Sequence, residues 1–413
     1  MEPYLELDKD LSPELQQLKQ QIHRFAAEVC RPASVALDKM DPESVIARGS
    51  ILWDVFRQAY EQGFHTRGLA PELGGVDFGP LGNHIVAEEM GWGSADFAIA
   101  LGVTSFPFTF AAAQAAERPR LLEEVVKPFA ADREGKYIGC WAITEPGHGS
   151  DTLMMGTEFH RDPDIWWGVT ARQDGDEWVI NGQKSAWVSN GTIATHALTF
   201  LGIDRERGMG GGGVALVPLD LPGVSKGKPL NKMGQRALNQ GEIFFDNVRI
   251  PADYMLARPD LYPLVIDMTL TNANAFMGAT FTGVARAAFE EALKYSRDRI
   301  QGGKPITEHQ LVQKKLFDMY SKVEAARQLS RAAMKYNATA FPPATFLSIT
   351  SKVYCTQVAV EVANDAVQLH GGYGLAKEFI VEKLFRDARA SLIEDGSNDV
   401  LALAAARQII DRL

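Results

Sequence analysis

The chain has 413 residues, enough for two or three structural units of roughly 150 residues each and too long for a disulfide-stapled miniprotein. Apolar residues make up 46% and charged residues 23%, the balance of a folded globular chain, which excludes disorder, collagen-like repeats and coiled coil. The formal charge of -10 repels phosphate backbones and anionic bilayers, so neither nucleic acid nor a membrane is expected as a partner.

The first eight residues are acidic where a targeting peptide would be basic, and no run of eighteen apolar residues suggests a membrane span. Cys30, Cys140 and Cys355 are odd in number and far apart, so no disulfide framework or zinc spacing can be drawn; a reducing, cytoplasmic location is expected. Leu15, Leu18, Ile22, Phe25, Ala26 and Val29 repeat at three-and-four spacing, which predicts a helix over 14–29. Further helices are predicted over 51–62, 82–92 and 118–131, with a glycine-rich loop over 71–80. Residues 1–135 therefore read as an N-terminal α-helical domain.

From 137 the texture changes to short β-prone runs over 137–143, 177–180, 197–203, 214–218 and 242–248. Asn181-Gly182 is placed as a hairpin turn, because both residues tolerate positive φ. Gly208 and Gly210 to Gly213 precede a strand, not a helix, and read as a flexible hairpin tip rather than a phosphate cradle. Residues 136–251 are predicted to form an antiparallel β domain, a barrel or sandwich. Helices over 264–301, 309–337, 343–369 and 397–413 then predict a C-terminal four-helix bundle over 252–413. The class is α+β without strand and helix alternation, which argues against a doubly wound sheet. The eight histidines show no metal-ligand spacing, so no metal is expected.

Four segments carry chemistry. Trp141 to Asp151, reading Trp-Ala-Ile-Thr-Glu-Pro-Gly-His-Gly-Ser-Asp, ends a β run in a loop of hydroxyls and small residues that can wrap a polar ligand. With Asn181 to Gly191, Arg299 to Gln313 and Gln368-Leu-His-Gly-Gly-Tyr-Gly-Leu, in that order, it resembles the acyl-CoA dehydrogenase family of FAD flavoproteins over nearly the whole chain. The resemblance implies that Thr144 and Ser189 hydrogen-bond the flavin, with Trp141 and Ile143 in the same signature, and that Trp187 lies along the ring. It implies that Ser150 faces the thioester. Arg299, Gln310, Gln368 and Gly372 would hold FAD across a subunit interface, which makes the chain a homotetramer, or at least a dimer. The departures are one extra residue after Lys184, and Gly302 where the family has Phe.

The implied reaction removes two hydrogens from the α and β carbons of an acyl-CoA, one as a proton and one as hydride to flavin N5. The family base is Glu followed by Gly and Thr or Ser; here Asp395 precedes Gly396-Ser397. The other family position falls on Ala273, before Asn274, and is empty; the usual acid at Thr271 is also missing. Read without the family, Asp395 is an Asp-Gly turn ahead of a Ser397 N-cap, and Glu394 a solvated neighbour. Asp96 is a second candidate acid bordering the acyl pocket. Asp is shorter than Glu by one bond, about 1.5 Å, and a rigid α-branched ring makes a short base workable, so a cyclic, branched or bulky acyl group is expected. The resemblance also implies an electron-transferring flavoprotein as acceptor. A flavin monooxygenase on the same fold, a carrier-protein thioester substrate and a nucleic-acid binder of the same superfamily are the rival readings.

Overall fold

The computed structural model describes residues 11–154 and 157–412; the acidic segment over 1–8 and Leu413 lie outside them. The first helix, Pro13–Phe25, starts where the Ser12 side chain accepts from Leu15 N and Pro13 pre-sets the first turn. A wider π turn over Ala26–Cys30 carries it into Arg31–Leu37, so the predicted stripe runs further than 29. Helices Ile51–Glu61 and Gly79–Gly93 follow. Ala95–Thr104 and Phe106–Ala112 were not predicted, because residues 95–112 are apolar all round and show no stripe; 67% of that stretch is buried inside the fold.

The middle of the chain forms one eight-stranded sheet: β1 (Gly139–Ala142), β2 (Thr170–Asp174), β3 (Glu177–Ser189), β4 (His196–Gly202), β5 (Gly212–Pro218), β6 (Val224–Lys226), β7 (Gln240–Pro251) and β8 (Met255–Ala257). The order β6-β7-β3-β2-β4-β5-β8 is antiparallel except between β2 and β4, which touch in parallel through Thr170 and Gly202; β1 pairs β4, also in parallel. The sheet is thus mixed, not purely antiparallel as expected.

Two turn assignments are corrected. Asn181-Gly182 is not a hairpin turn: β3 runs straight through it, and the hairpin bends at Gly175, φ +62°, between β2 and β3. Gly182 has φ +127°, and a Cβ there would lie 2.4 Å from Gly168 O, so glycine is needed for an irregularity in the β3–β7 register. A second register shift lies between Lys184 and Val188, in the stretch that follows the lysine. The glycines over 208–213 are not a flexible tip either. Gly208 and Gly211 to Gly213 are buried, and a Cβ on Gly212 would strike the Tyr262 ring at 2.8 Å.

Helices Tyr262–Asp298, Gln310–Asn337, Thr345–His370 and Asn398–Arg412 form the C-terminal bundle. A further helix, Val381–Ala390, was missed; it buries Lys383 and Asp387 beside Val381, Leu384 and Ala388, so its buried face does not read as apolar. The Gly79–Gly93 and Tyr262–Asp298 helices cross in backbone contact, since a Cβ on Gly91 would sit 2.0 Å from Thr280 O and one on Gly283 2.0 Å from Glu88 O. Beside the crossing, buried Arg286 bonds Glu88 at 2.8 Å and Glu89 at 2.7 Å, and buried Arg327 bonds Glu88 at 2.8 Å. This ionic cluster, fully enclosed, braces the N-terminal helices against the bundle.

Candidate active site

A cavity of about 1630 Å³ opens where the three regions meet. Single-ligand sites run to roughly 300–1,000 Å³, so this one has room for a cofactor and a substrate together. Its walls come from Arg67 to Phe106 of the helical region, from Trp141 to Leu153, Ser185 to Ser189 and Leu230 to Gln240 around the sheet, and from three stretches of the bundle that end at Gly396.

Of the predicted residues, Trp141, Ile143, Thr144, Ser150, Trp187, Ser189 and Asp395 all line this cavity. Lys184 fixes the Ile143-Thr144 segment: its fully buried ammonium bonds Ile143 O at 3.0 Å and Glu145 Oε1 at 2.6 Å, while Glu145 also accepts from Val169 N. Burial lowers the Lys184 pKa to about 8, against the pull of Glu145. Ser185 N donates to Thr144 O, which holds the same segment against β3. Ser150 Oγ accepts from Ser397 N at 2.9 Å, joining the 141–151 loop to the loop that bears Asp395.

Asp395 sits at φ +52° between the last two helices, a left-handed conformation that Asp tolerates, and Gly396 follows at φ +99°. Burial raises its pKa from 3.8 to about 6, with the Lys352 cation pulling the other way. Lys352 Nζ itself bonds Gly396 O and Asn398 Oδ1. Glu394 is not a solvated neighbour. It lines the cavity, takes a hydrogen bond from Gln235 Nε2 at 2.6 Å, and is raised to about 7 by burial and by Asp395. Gln235 and Lys352 carry no signal in the sequence, and Glu394, beside Asp395, is expected there in solvent.

Asp96 is removed from the catalytic candidates. It is fully buried outside the cavity wall, and its oxygens are taken by Ser34, Ser94, Ala237 N at 3.2 Å and Lys383 at 3.4 Å, so it stays ionised as a structural anchor. Thr271 and Ala273 line the cavity, while Asn274 turns to Leu270 O; no carboxylate stands on that stretch. Arg299, Gln310, Gln368 and Gly372 are exposed and lie outside the cavity of their own chain, although Arg299 reaches over the Tyr373 ring at 5.9 Å. Gly302 and Gly303, φ +64° and +82°, form the two-residue turn of a small hairpin that pairs Gln301 with Lys304, which accounts for the missing Phe. Among the described residues no group of three or more His, Cys, Asp or Glu side chains is placed to hold a metal ion.

Three family models cover the chain in sequence: the acyl-CoA dehydrogenase N-terminal domain over 12–132, the middle domain over 140–248 and the C-terminal domain over 264–410. The chain belongs to the acyl-CoA dehydrogenase family. Among acyl-CoA dehydrogenases it is 32% identical over 408 residues to cyclohexane-1-carbonyl-CoA dehydrogenase of Geobacter metallireducens, covering 97% of this chain and 98% of that one. It superposes on butyryl-CoA dehydrogenase from Megasphaera elsdenii with a TM-score of 0.83 at 26% identity, over 98% of this chain and all of that one. A chain from the electron-transferring flavoprotein structure of Acidaminococcus fermentans matches with a TM-score of 0.83 at 25% identity, over 98% and 100%.

Acyl-CoA dehydrogenases are flavoprotein oxidoreductases, and the residues present fit a flavin. Trp141 Nε1 is buried in the cavity wall with no partner among the described residues. Trp187 leaves 57% of its surface exposed on the concave site, a ring face on which a flat ligand can stack. Ser189 Oγ accepts from Gln240 at 3.1 Å, which leaves its own O–H free to donate.

Proposed function

We propose that the protein oxidises an acyl-CoA thioester between its α and β carbons with FAD, Asp395 removing the α proton. The observation that carries this reading is the Asp395 carboxylate on the cavity wall, held by burial near a pKa suited to a general base. The bundle stretch at Thr271 to Asn274 supplies no competing acid. Bound flavin supplies the two-electron acceptor. Thr144, Ser189 and the Trp141 indole would hold its polar edge, Trp187 would cover its ring, and the bound molecules together would keep water from the Asp395 carboxylate.

A cyclic, branched or bulky acyl group is favoured because Asp is short and a rigid α carbon can be held against it. The likeness to a dehydrogenase of a ring-bearing thioester supports the same reading. Arg299, Gln310, Gln368 and Gly372 would meet FAD in a partner subunit of a homotetramer; exposed Ile300, Leu311, Tyr373 and Leu375 on the same segments supply apolar surface for such a contact. An electron-transferring flavoprotein is the proposed acceptor, and three free, buried cysteines go with a reducing cytoplasm.

Anaerobic titration of the yellow protein with straight, branched and cyclic acyl-CoAs tests the reading. Bleaching should be strongest with cyclic or branched esters, and Asp395→Asn should keep its flavin while losing about 10²–10⁴-fold in reduction rate. Full activity of Asp395→Asn with oxygen as co-substrate would point instead to a monooxygenase.

A further inference from the structure

The helical wall of the cavity holds a cation with no counter-ion among the described residues. Arg67 lines the cavity with Asn83, Ile99, Val103 and, from the bundle, Phe276. It is only partly exposed; its Nη1 is buried without a partner, and among the described residues no carboxylate, carbonyl or hydroxyl bonds its guanidinium. The carboxylates that share this cavity are otherwise engaged: Asp77 accepts from Gly79 N, Glu145 from Lys184, Glu394 from Gln235, and Asp395 faces Lys352.

Several other arginines drawn into this fold each reach at least one carboxylate or carbonyl. Arg286 and Arg327 meet Glu88, Arg31 meets Glu291, and Arg118 bonds the carbonyls of Asp253 and Met255. Burial alone lowers the Arg67 pKa to about 10, with no neighbouring charge acting on it, so it remains protonated at neutral pH. A partly desolvated guanidinium is costly unless something pairs with it, and none of the described residues does.

We propose that Arg67 receives a carboxylate borne by the acyl group, so that among cyclic, branched or bulky acyl groups the preferred ones carry a second carboxyl, as CoA thioesters of dicarboxylic acids. This rests on reading the cavity as an acyl-CoA site. The apolar side chains of Ile99, Val103 and Phe276 on the same cavity suit the hydrocarbon part of such a group, the planar fork of Arg67 suits two carboxylate oxygens, and the Asn83 amide can add a donor. A nucleotide phosphate would have no use for those apolar neighbours.

The test compares adipoyl-CoA with hexanoyl-CoA, equal in carbon count, on the flavin-loaded protein. Equilibrium binding is the primary readout, because a short base can be slow on straight chains; anaerobic flavin reduction is the second. Adipoyl-CoA should bind at least tenfold more tightly than hexanoyl-CoA. Arg67→Met should weaken adipoyl-CoA about ten- to a hundredfold and hexanoyl-CoA less than threefold, with Arg67→Lys between. Equal binding of the two thioesters by the unaltered protein, an equal loss of both in Arg67→Met, or purification of Arg67→Met without flavin would each overturn the assignment. A clear adipoyl-CoA preference with no bleaching by any thioester leaves Arg67 assigned and removes the dehydrogenation reading.

Discussion

Lys352 Nζ donates to Gly396 O at 2.7 Å and thereby hangs the loop that carries Asp395 from the buried face of the Thr345–His370 helix. The same cation opposes the rise that burial imposes on the Asp395 pKa. With the base ionising at about 6, kcat/KM for flavin reduction should climb as pH rises through that value. Lys352→Met removes the opposing cation and should move the climb to higher pH, whereas Lys352→Arg should move it back. Reduction rates measured across pH on the three proteins decide this.

Ionised Asp395 strains the fold it serves. Its native pKa lies above the ordinary 3.8, so between that value and about 6 the native state binds more protons than the unfolded chain and stability falls as pH rises. Asp395→Asn should therefore melt higher than the unaltered protein at pH 7, by about 1–3 kcal/mol, and the gain should shrink at pH 4.5. Thermal melts at the two pH values measure it.

Side-chain reach at 395 can be tuned. Asp395→Glu extends the carboxylate by about 1.5 Å, which should raise reduction rates with straight-chain acyl-CoA relative to cyclic esters. A ratio of the two rates that does not move in that direction argues that the loop, not the substrate, closes the distance.

Glu394 and Asp395 are adjacent carboxylates in one wall, and only one can be the base. Gln235 donates to Glu394, whose pKa of about 7 leaves it largely protonated when Asp395 is already ionised. Glu394→Gln should keep flavin reduction within about tenfold, far less than the loss at Asp395→Asn. Stopped-flow reduction of both variants separates the two roles.

The enclosed cluster at the helix crossing makes a stability prediction. Arg286→Met leaves Glu88 and Glu89 short of a cation in the interior and should cost about 3–5 kcal/mol. Denaturant unfolding would report the loss, and a change below about 1 kcal/mol would show that Arg327 on Glu88, with His23 and Lys19 on Glu89, suffices.

How much was legible depended on whether the deciding contacts were local. The helices with one apolar stripe and the switch to β texture near 137 follow from periodicity, whereas the cavity position of Thr144, Ser189 and Asp395 follows only from the family resemblance. Gly182 misled because Asn-Gly is a turn signal by local chemistry, yet its φ serves a close approach to Gly168 O. Asp96 misled because Ser34, Ala237 and Lys383, which saturate it, come from distant parts of the chain. Gln235 carries no sequence signal at all; a positive φ of 48° and the approach of Asp387 aim it at Glu394. Residues 95–112 hid two helices because their apolar residues fall on every side and leave no stripe.

The cavity's walls are shared by helices, sheet and bundle. Whatever settles there becomes a keystone: it touches segments far apart in the chain, and its affinity adds to the cohesion of the entire molecule by mass action. Stripping the chromophore would then loosen every layer at once, and melting temperature should climb with the logarithm of free dinucleotide returned to the solution.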